Sequence, residues 1–348
     1  MDMAPRRKIE TKRDTETEGG NFWKKLPKPF FCSAPMANVT DATFRALLAK
    51  YGKPDVMYTE FVSAEGLCSE GKEKLLSILE YSKIERPIVA QIFGSHPDKI
   101  FHAAEIILKL GFDGLDINMG CPDKSVVKQG SGSALIKNPE LAQEIIKAAR
   151  EGARKLPVSI KTRIGFDKSV LETWLPILLC QKPAAVTIHA RTKKQMSLAP
   201  ADWESVAEAV SIRNKMKSGA LIIGNGDVVD LGDGFQRVRK SGADGFMVGR
   251  ALLGNPWFGN NLDGIRKAGV ADIQNEIPVS KRLKILIEHA RLYERVHKKE
   301  RNFLRIRRHL KHYTKGLQNA RAFREKILQA KNADEVERTV EEYDEYKG

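Results

Sequence analysis

Eight short apolar runs recur along the chain, at 30–34, 56–59, 88–92, 114–118, 158–162, 185–189, 221–225 and 245–248. They are four or five residues long and rich in β-branched and aromatic residues, which predicts strands buried on both faces. Between them the apolar positions follow a helical period, as in 96–111 (HPDKIFHAAEIILKLG) and 138–155 (NPELAQEIIKAAREGARK). Both segments place a proline near the helix start, and Gly111 ends the first. Eight β-α alternations suit an α/β fold of the TIM (β/α)8 barrel type, typically ~250 residues. An open, doubly wound sheet would want GxGxxG after its first strand, where this chain has PMANVTDATF.

The pattern changes after Gly259. From Pro278 onward it is helical throughout, with neither glycine nor proline from Ser280 to Lys315. Between Lys281 and Glu325 there are fifteen Lys and Arg against four Glu. Leu283, Ile285, Leu286, Ala290, Leu292, Phe303, Leu304, Ile306 and Leu310 are expected to form the buried face. The expectation is a C-terminal all-helical bundle domain with one cationic side, in which His312 and Tyr313 interleave with the cations. The acidic stretch 332–346 would close it. Three regions follow: a disordered tail at 1–22, a catalytic barrel at 23–260 and a helical domain at 278–348.

Charge sharpens this picture. The 348 residues carry a formal net charge of +15, with a pI near 9.5. In a protein of ordinary hydrophobic content this points to a polyanionic partner, most often nucleic acid, the alternative being a generally basic surface with no partner. No run reaches the ~20 apolar residues of a membrane span. The first twenty residues lack the apolar core of a secretory signal, and Glu10, Asp14, Glu16 and Glu18 are out of place in a transit peptide. Cys32, Cys68, Cys121 and Cys180 are widely spaced with no CxxC pair. That disfavours a zinc site or a disulfide framework and suits a reducing, cytoplasmic setting.

In a barrel, chemistry gathers where the strands end. The stretch 114–135, GLDINMGCPDKSVVKQGSGSAL, ends a strand at Asn118 and presents Cys121 on a glycine turn. A loop expected to be mobile, 124–132, follows it. By position alone Cys121 is either a chemical thiol or a structural one. The other strand ends offer Pro35-Met36, Glu60, Gln91, Lys161 with Arg163, His189 with Arg191, Asn225-Gly226-Asp227 and Gly249-Arg250. Together they describe an enzyme's mouth. Glycine turns after the seventh and eighth strands are where barrels commonly seat a phosphate, and Arg250 adds a bidentate donor. Lys161 and Arg163, two apart on one strand, share a face.

These residues in order resemble the tRNA-dihydrouridine synthase family, in its bacterial, FMN-dependent form. The motifs are APMANVTDATFR at 34–45, QIFG at 91–94, DINMGCP at 116–122, GSGSAL at 130–135, KTRIG at 161–165, HART at 189–192, GNGD at 224–227 and MVGRALLGNPWF at 247–258. In the tail, RRHLKHYTKGL at 307–317 is similar to the family's tRNA-binding domain. The resemblance implies an FMN held by Pro35, Met36, Gln91, Lys161, His189, Asn225, Gly226, Asp227, Gly249 and Arg250. It implies a flipped uracil surrounded by Asn118, Arg163, His189 and Arg191, with Cys121 as proton donor and NADPH as reductant. A thiol with an ordinary pKa near ~8.5 stays protonated at neutral pH, which suits that role. The partner would be tRNA, with no membrane and no metal, and the protein a monomer. Two departures stand out: Asn38 replaces a usual glycine, and Ser197–Pro200 replaces a YKG-type segment.

Two other readings compete. One is an FMN barrel oxidoreductase of a small dihydroorotate- or enoate-type substrate, which leaves the cationic tail without a task. The other is a tRNA-binding chaperone with a vestigial flavin site, against which the intact Cys121, Lys161 and His189 count.

Overall fold

The computed structural model describes residues 21–268, 277–297, 302–317 and 320–345. The eight expected strands are present: β1 Phe30–Ser33, β2 Met57–Ser63, β3 Ile88–Phe93, β4 Gly114–Met119, β5 Val158–Gly165, β6 Ala185–Thr192, β7 Leu221–Asn225 and β8 Gly245–Val248. They pair in parallel in the order β1-β8-β7-β6-β5-β4-β3-β2. A parallel bridge between Cys32 and Val56 joins the two ends of the sheet. This is the (β/α)8 barrel.

Side-chain alternation divides the core in two. Leu115, Ile117, Ile160, Val186 and Ile188 face outward and pack under the surrounding helices. Cys32, Tyr58, Val89, Ala185, Ile223 and Met247 belong to a separate interior cluster. Proline opens both of two such helices, Pro97–Lys109 and Pro139–Ala153, and the second is also capped by Asn138 accepting from the Leu141 N–H.

Residues 1–20 of the expected tail lie outside the described residues, but Asn21 and Phe22 are ordered. Phe22–Lys25 forms a 3-10 turn whose Trp23 is buried in the interior cluster with Phe30. At the other boundary, the helix Leu262–Ala268 extends the barrel past residue 260. Its Leu262 and Ile265 join the outer core, and Arg266 reaches Asp55 at 2.6 Å.

The C-terminal helices Val279–His297, Arg307–Tyr313, Ala320–Gln329 and Ala333–Glu345 bury a cluster of their own. Three expectations need correction. The 124–132 loop is not simply mobile: Lys124–Lys128 is a helix, capped by Asp123 accepting from the Ser125 N–H. Leu304 is exposed, because Phe303–Ile306 winds as a 3-10 turn that aligns positions 303 and 306 and turns 304 outward. Tyr313 is fully buried beside His289, so it does not interleave with surface cations.

The helical region meets the barrel along a buried seam. Phe44 of the helix Ala42–Tyr51 packs against the rings of His309 and His289, at centroid distances of 4.1 and 5.7 Å. His309 Nδ1 accepts from the Gly254 N–H at 3.2 Å, and its Nε2 lies 3.0 Å from Val39 O. This places helix Arg307–Tyr313 directly over the loop after β1. Arg305 Nη1 donates to Asn38 Oδ1 at 3.0 Å, and Arg308 Nη1 to Ala37 O at 3.3 Å.

Candidate active site

Strand register sorts the inward polar residues into levels. Gln91 aligns with Asp116, and Asp116 with Ser159; one step higher, Asn118 aligns with Lys161. Above these, Arg163 aligns with His189, and His189 with Asn225. The sequence-selected residues from β3 to β7 therefore gather at one mouth.

The turn carrying Cys121 is clamped from two sides. Asn118 Oδ1 accepts the N–H groups of Gly120 and Cys121, at 3.1 and 2.9 Å. Arg163 Nε donates to Gly120 O at 2.8 Å, while its Nη1 donates to Thr192 O and Met196 O, at 3.0 and 3.2 Å. The guanidinium expected at the uracil thus spends much of its capacity tying the cysteine turn to the loop after β6. Gly132 closes the other flank; its φ is +61°, and a Cβ there would lie 2.9 Å from Cys121 O.

A second knot holds the loop after β6. Arg191 Nε donates to Ala199 O at 2.5 Å, and its Nη2 pairs with Asp227. Asp227 also accepts from Arg250 at 2.6 Å and from the Ala201 N–H at 2.8 Å. The 197–200 departure is therefore held largely through main-chain atoms. Leu198, at 89% exposure, is the large apolar side chain it offers to solvent.

Electrostatics at the mouth follow from burial and crowded cations. Burial first, then Lys161, Arg163, Arg191 and Arg250, hold His189 neutral far below the ordinary imidazole range. Lys161 is pushed down to about 8, by burial and then by Arg163. Burial raises the Cys121 thiol above its ordinary value, against the opposing pull of the Asp123 N–H, Lys161 and Arg163. At neutral pH the thiol keeps its proton.

The remaining residues form a cradle. Met36 N–H donates to Thr40 Oγ1 at 2.9 Å, which tightens the turn after Pro35. The Met36 sulfur lies 3.4 Å from where a Cβ on Gly249 would stand, so the β1 and β8 turns meet. Asn225 Nδ2 donates to Met247 O, joining β7 to β8. Gly226 has φ +136°, and a Cβ there would lie 2.7 Å from Ala201 Cβ. Two bare glycine turns beside Arg250, and four cations around His189 of which only Arg191 and Arg250 pair with Asp227, fit an anionic, phosphate-bearing cofactor.

The selection by sequence overlooked the level below. Asp116 stood inside a recognised motif without a role, and Ser159 went unremarked. The inward phase of β4 and β5 was the available signal, since both share a face with Asn118 or Lys161. Glu60 reaches the loop after β1 instead of the mouth's centre, accepting from the Asn38 N–H at 2.6 Å.

Comparison with known proteins gives the family. The family model "Dihydrouridine synthase (Dus)" matches residues 32–346. The chain is 36% identical over 327 residues to "Probable tRNA-dihydrouridine synthase 2" of Bacillus subtilis strain 168, covering 93% of this chain and 97% of that one. It is equally similar, at 36%, to "Probable tRNA-dihydrouridine synthase" of Staphylococcus aureus strain COL, covering 93% and 96%. Among solved structures, a 2-naphthoyl-CoA reductase complex superposes with a TM-score of 0.52 at 12% identity, over 67% of this chain and 50% of that one. That likeness shows the fold alone.

Proposed function

The chain belongs to the dihydrouridine synthase family, and from that premise and the geometry of the mouth we infer that it reduces the C5=C6 bond of a D-loop uridine in tRNA. The observation that carries the mechanism is the clamping of Cys121 at the rim of a cationic mouth, where burial favours the protonated thiol. Overall, uridine, NADPH and a proton become dihydrouridine and NADP⁺. FMN, when bound, supplies the hydride that reaches C6 of the uracil.

The chain's own residues do the rest. Cys121 Sγ carries the proton that C5 takes up, and a thiol kept from ionising by burial is suited to give it. Lys161, with a pKa of about 8, is mostly cationic at neutral pH and stabilises negative charge developing on the uracil carbonyl or the cofactor ring. Neutral His189 offers one ring N–H without adding another charge among the cations. Asn118 and Arg163 fix the turn, and in this reading they lie, with Arg191, around the target base; their bonds to the cysteine turn support it.

The phosphate of FMN would rest on the Gly226 and Gly249 turns with Asn225, Asp227 and Arg250, while Pro35, Met36 and Gln91 line the ring. The target base must leave its stack to reach this depth, so a docking surface beside the pocket is required. Residues 278–348 supply it in this reading, and 23–260 with the adjoining helix supply the catalytic barrel. Among the described residues no helix is long and apolar enough to cross a membrane. A monomer working in the cytoplasm completes the proposal.

The test has two parts. Heat release of the bound cofactor should yield FMN by chromatography. Purified protein with NADPH should then convert unmodified tRNA at a defined D-loop uridine, more efficiently than with NADH. Turnover of enoates or orotates without any of tRNA would favour the small-substrate oxidoreductase instead.

A further inference from the structure

Asp116 is a buried carboxylate that the chemistry above does not use. It lies two residues before Asn118 on the inward face of β4, between Gln91 of β3 and Ser159 of β5. Its Oδ1 accepts from Ser159 Oγ at 2.6 Å and its Oδ2 from Gln91 Nε2 at 2.7 Å. From there one line of hydrogen bonds climbs to the cysteine. Asn118 Nδ2 donates to Gln91 Oε1 at 3.0 Å, and Asn118 Oδ1 accepts from the Gly120 and Cys121 N–H groups.

The line can run in only one direction. Backbone N–H groups only donate, so Asn118 must turn its oxygen toward them and its nitrogen toward Gln91. Gln91 must answer with its oxygen, which leaves its nitrogen facing Asp116. An acceptor is required at that point. Reversing either amide would set donor against donor or oxygen against oxygen in a buried site, at ~1–3 kcal/mol for each unpaired group.

We propose that Asp116 is a positioning residue: by accepting from Gln91 at the foot of this line, it fixes both amides and, through them, the turn that aims Cys121. The charged and titratable groups facing Asp116 are Lys161, Cys32 and Tyr58. Burial raises its pKa to about 6, so at neutral pH both oxygens still accept. The inference rests on the reading of Cys121 as proton donor.

Asp116→Leu removes the acceptor and puts a larger apolar side chain in its place; Asp116→Asn is isosteric and keeps an acceptor oxygen for Gln91 and an amide for Ser159. Two readouts apply to the cofactor-loaded protein: tRNA reduction, and the rate at which iodoacetamide alkylates Cys121, followed by peptide mass spectrometry. The Leu variant should lose kcat on tRNA by ~10²-fold with little change in KM, as expected for a displaced reacting group. It should also shift Cys121 alkylation clearly, while the Asn variant stays within about threefold of wild type in both.

Equal losses in the Asn and Leu variants would assign the role to charge and overturn the proposal. Unchanged alkylation in the Leu variant would overturn it too. Should that variant fail to fold, Asp116→Ala carries the same two readouts. A wild type that reduces no tRNA would sink the functional reading alone, because alkylation still tests the line without substrate.

Discussion

Cys121→Ala isolates one proton from everything else in the mouth. It should retain FMN and its reduction by NADPH while tRNA reduction falls by ~10²–10⁴-fold, the usual worth of a general acid. Stopped-flow separation of the two half-reactions checks this, and near-normal tRNA turnover would remove the thiol from the mechanism. The candidates Lys161, Arg163 and His189 were legible as residues because strand alternation turns every second side chain inward. What the sequence hid was their partners. The contacts of Asp116 with Gln91 and Ser159 depend on the pairing of β3, β4 and β5, which no local pattern encodes. Asn38 is a similar case. The sequence shows a departure from a glycine motif there, but not what the new side chain does. Its φ of +56° is the left-handed region that Asn tolerates better than most residues, and its side chain adds a bond to Arg305 that glycine lacks.

At the scale of elements, the seam between barrel and helices makes two predictions. Gly254 has φ +60°, and a Cβ there would stand 2.6 Å from Tyr313 N. Gly254→Ala should therefore cost at least ~1–2 kcal/mol from backbone strain alone. Thermal melting should drop by several degrees, with tRNA binding weakened before FMN binding. His309 supplies the pH dependence. Burial lowers its pKa to about 4, and the structure agrees, since its Nδ1 must stay unprotonated to accept from the Gly254 N–H. Between about 4 and the ordinary 6.5 the unfolded chain takes up a proton that the folded chain refuses. Stability is thus full above pH 6.5 and falls as pH drops toward 4, by on the order of 3 kcal/mol for this group. Urea midpoints at pH 7.5 and 5 measure it, and an unchanged midpoint would contradict a neutral His309. The strands were legible because each is a short apolar run between helical periods. Phe22–Lys25 was not, because two aromatics beside lysines carry no period; only the barrel's open end gives Trp23 a place to bury.

The molecule as a whole joins a reductive mouth to a cationic helical surface, and the loop 36–40 is one of the places where they touch, beside Phe44 and Gly254. Composition announced the charge, but not which face carries it. Tyr313 shows the difference, since the fold uses it as core. Lys311 and Lys315 are both exposed in the helical region. Replacing both by Ala should weaken tRNA binding and flatten its salt dependence by roughly 2 in log–log slope, leaving NADPH-driven FMN reduction unchanged. Equal loss in both activities would make these lysines structural. The central claim, that this mouth reduces a uridine presented by tRNA, is tested most directly by mapping dihydrouridine at nucleotide resolution. Unmodified tRNA would be incubated with NADPH and either the wild type or the Cys121→Ala protein. The expected result is one reduced D-loop position with wild type and almost none with the variant. Bound FMN, rapid NADPH oxidation and no reduced uridine anywhere in the tRNA would contradict it.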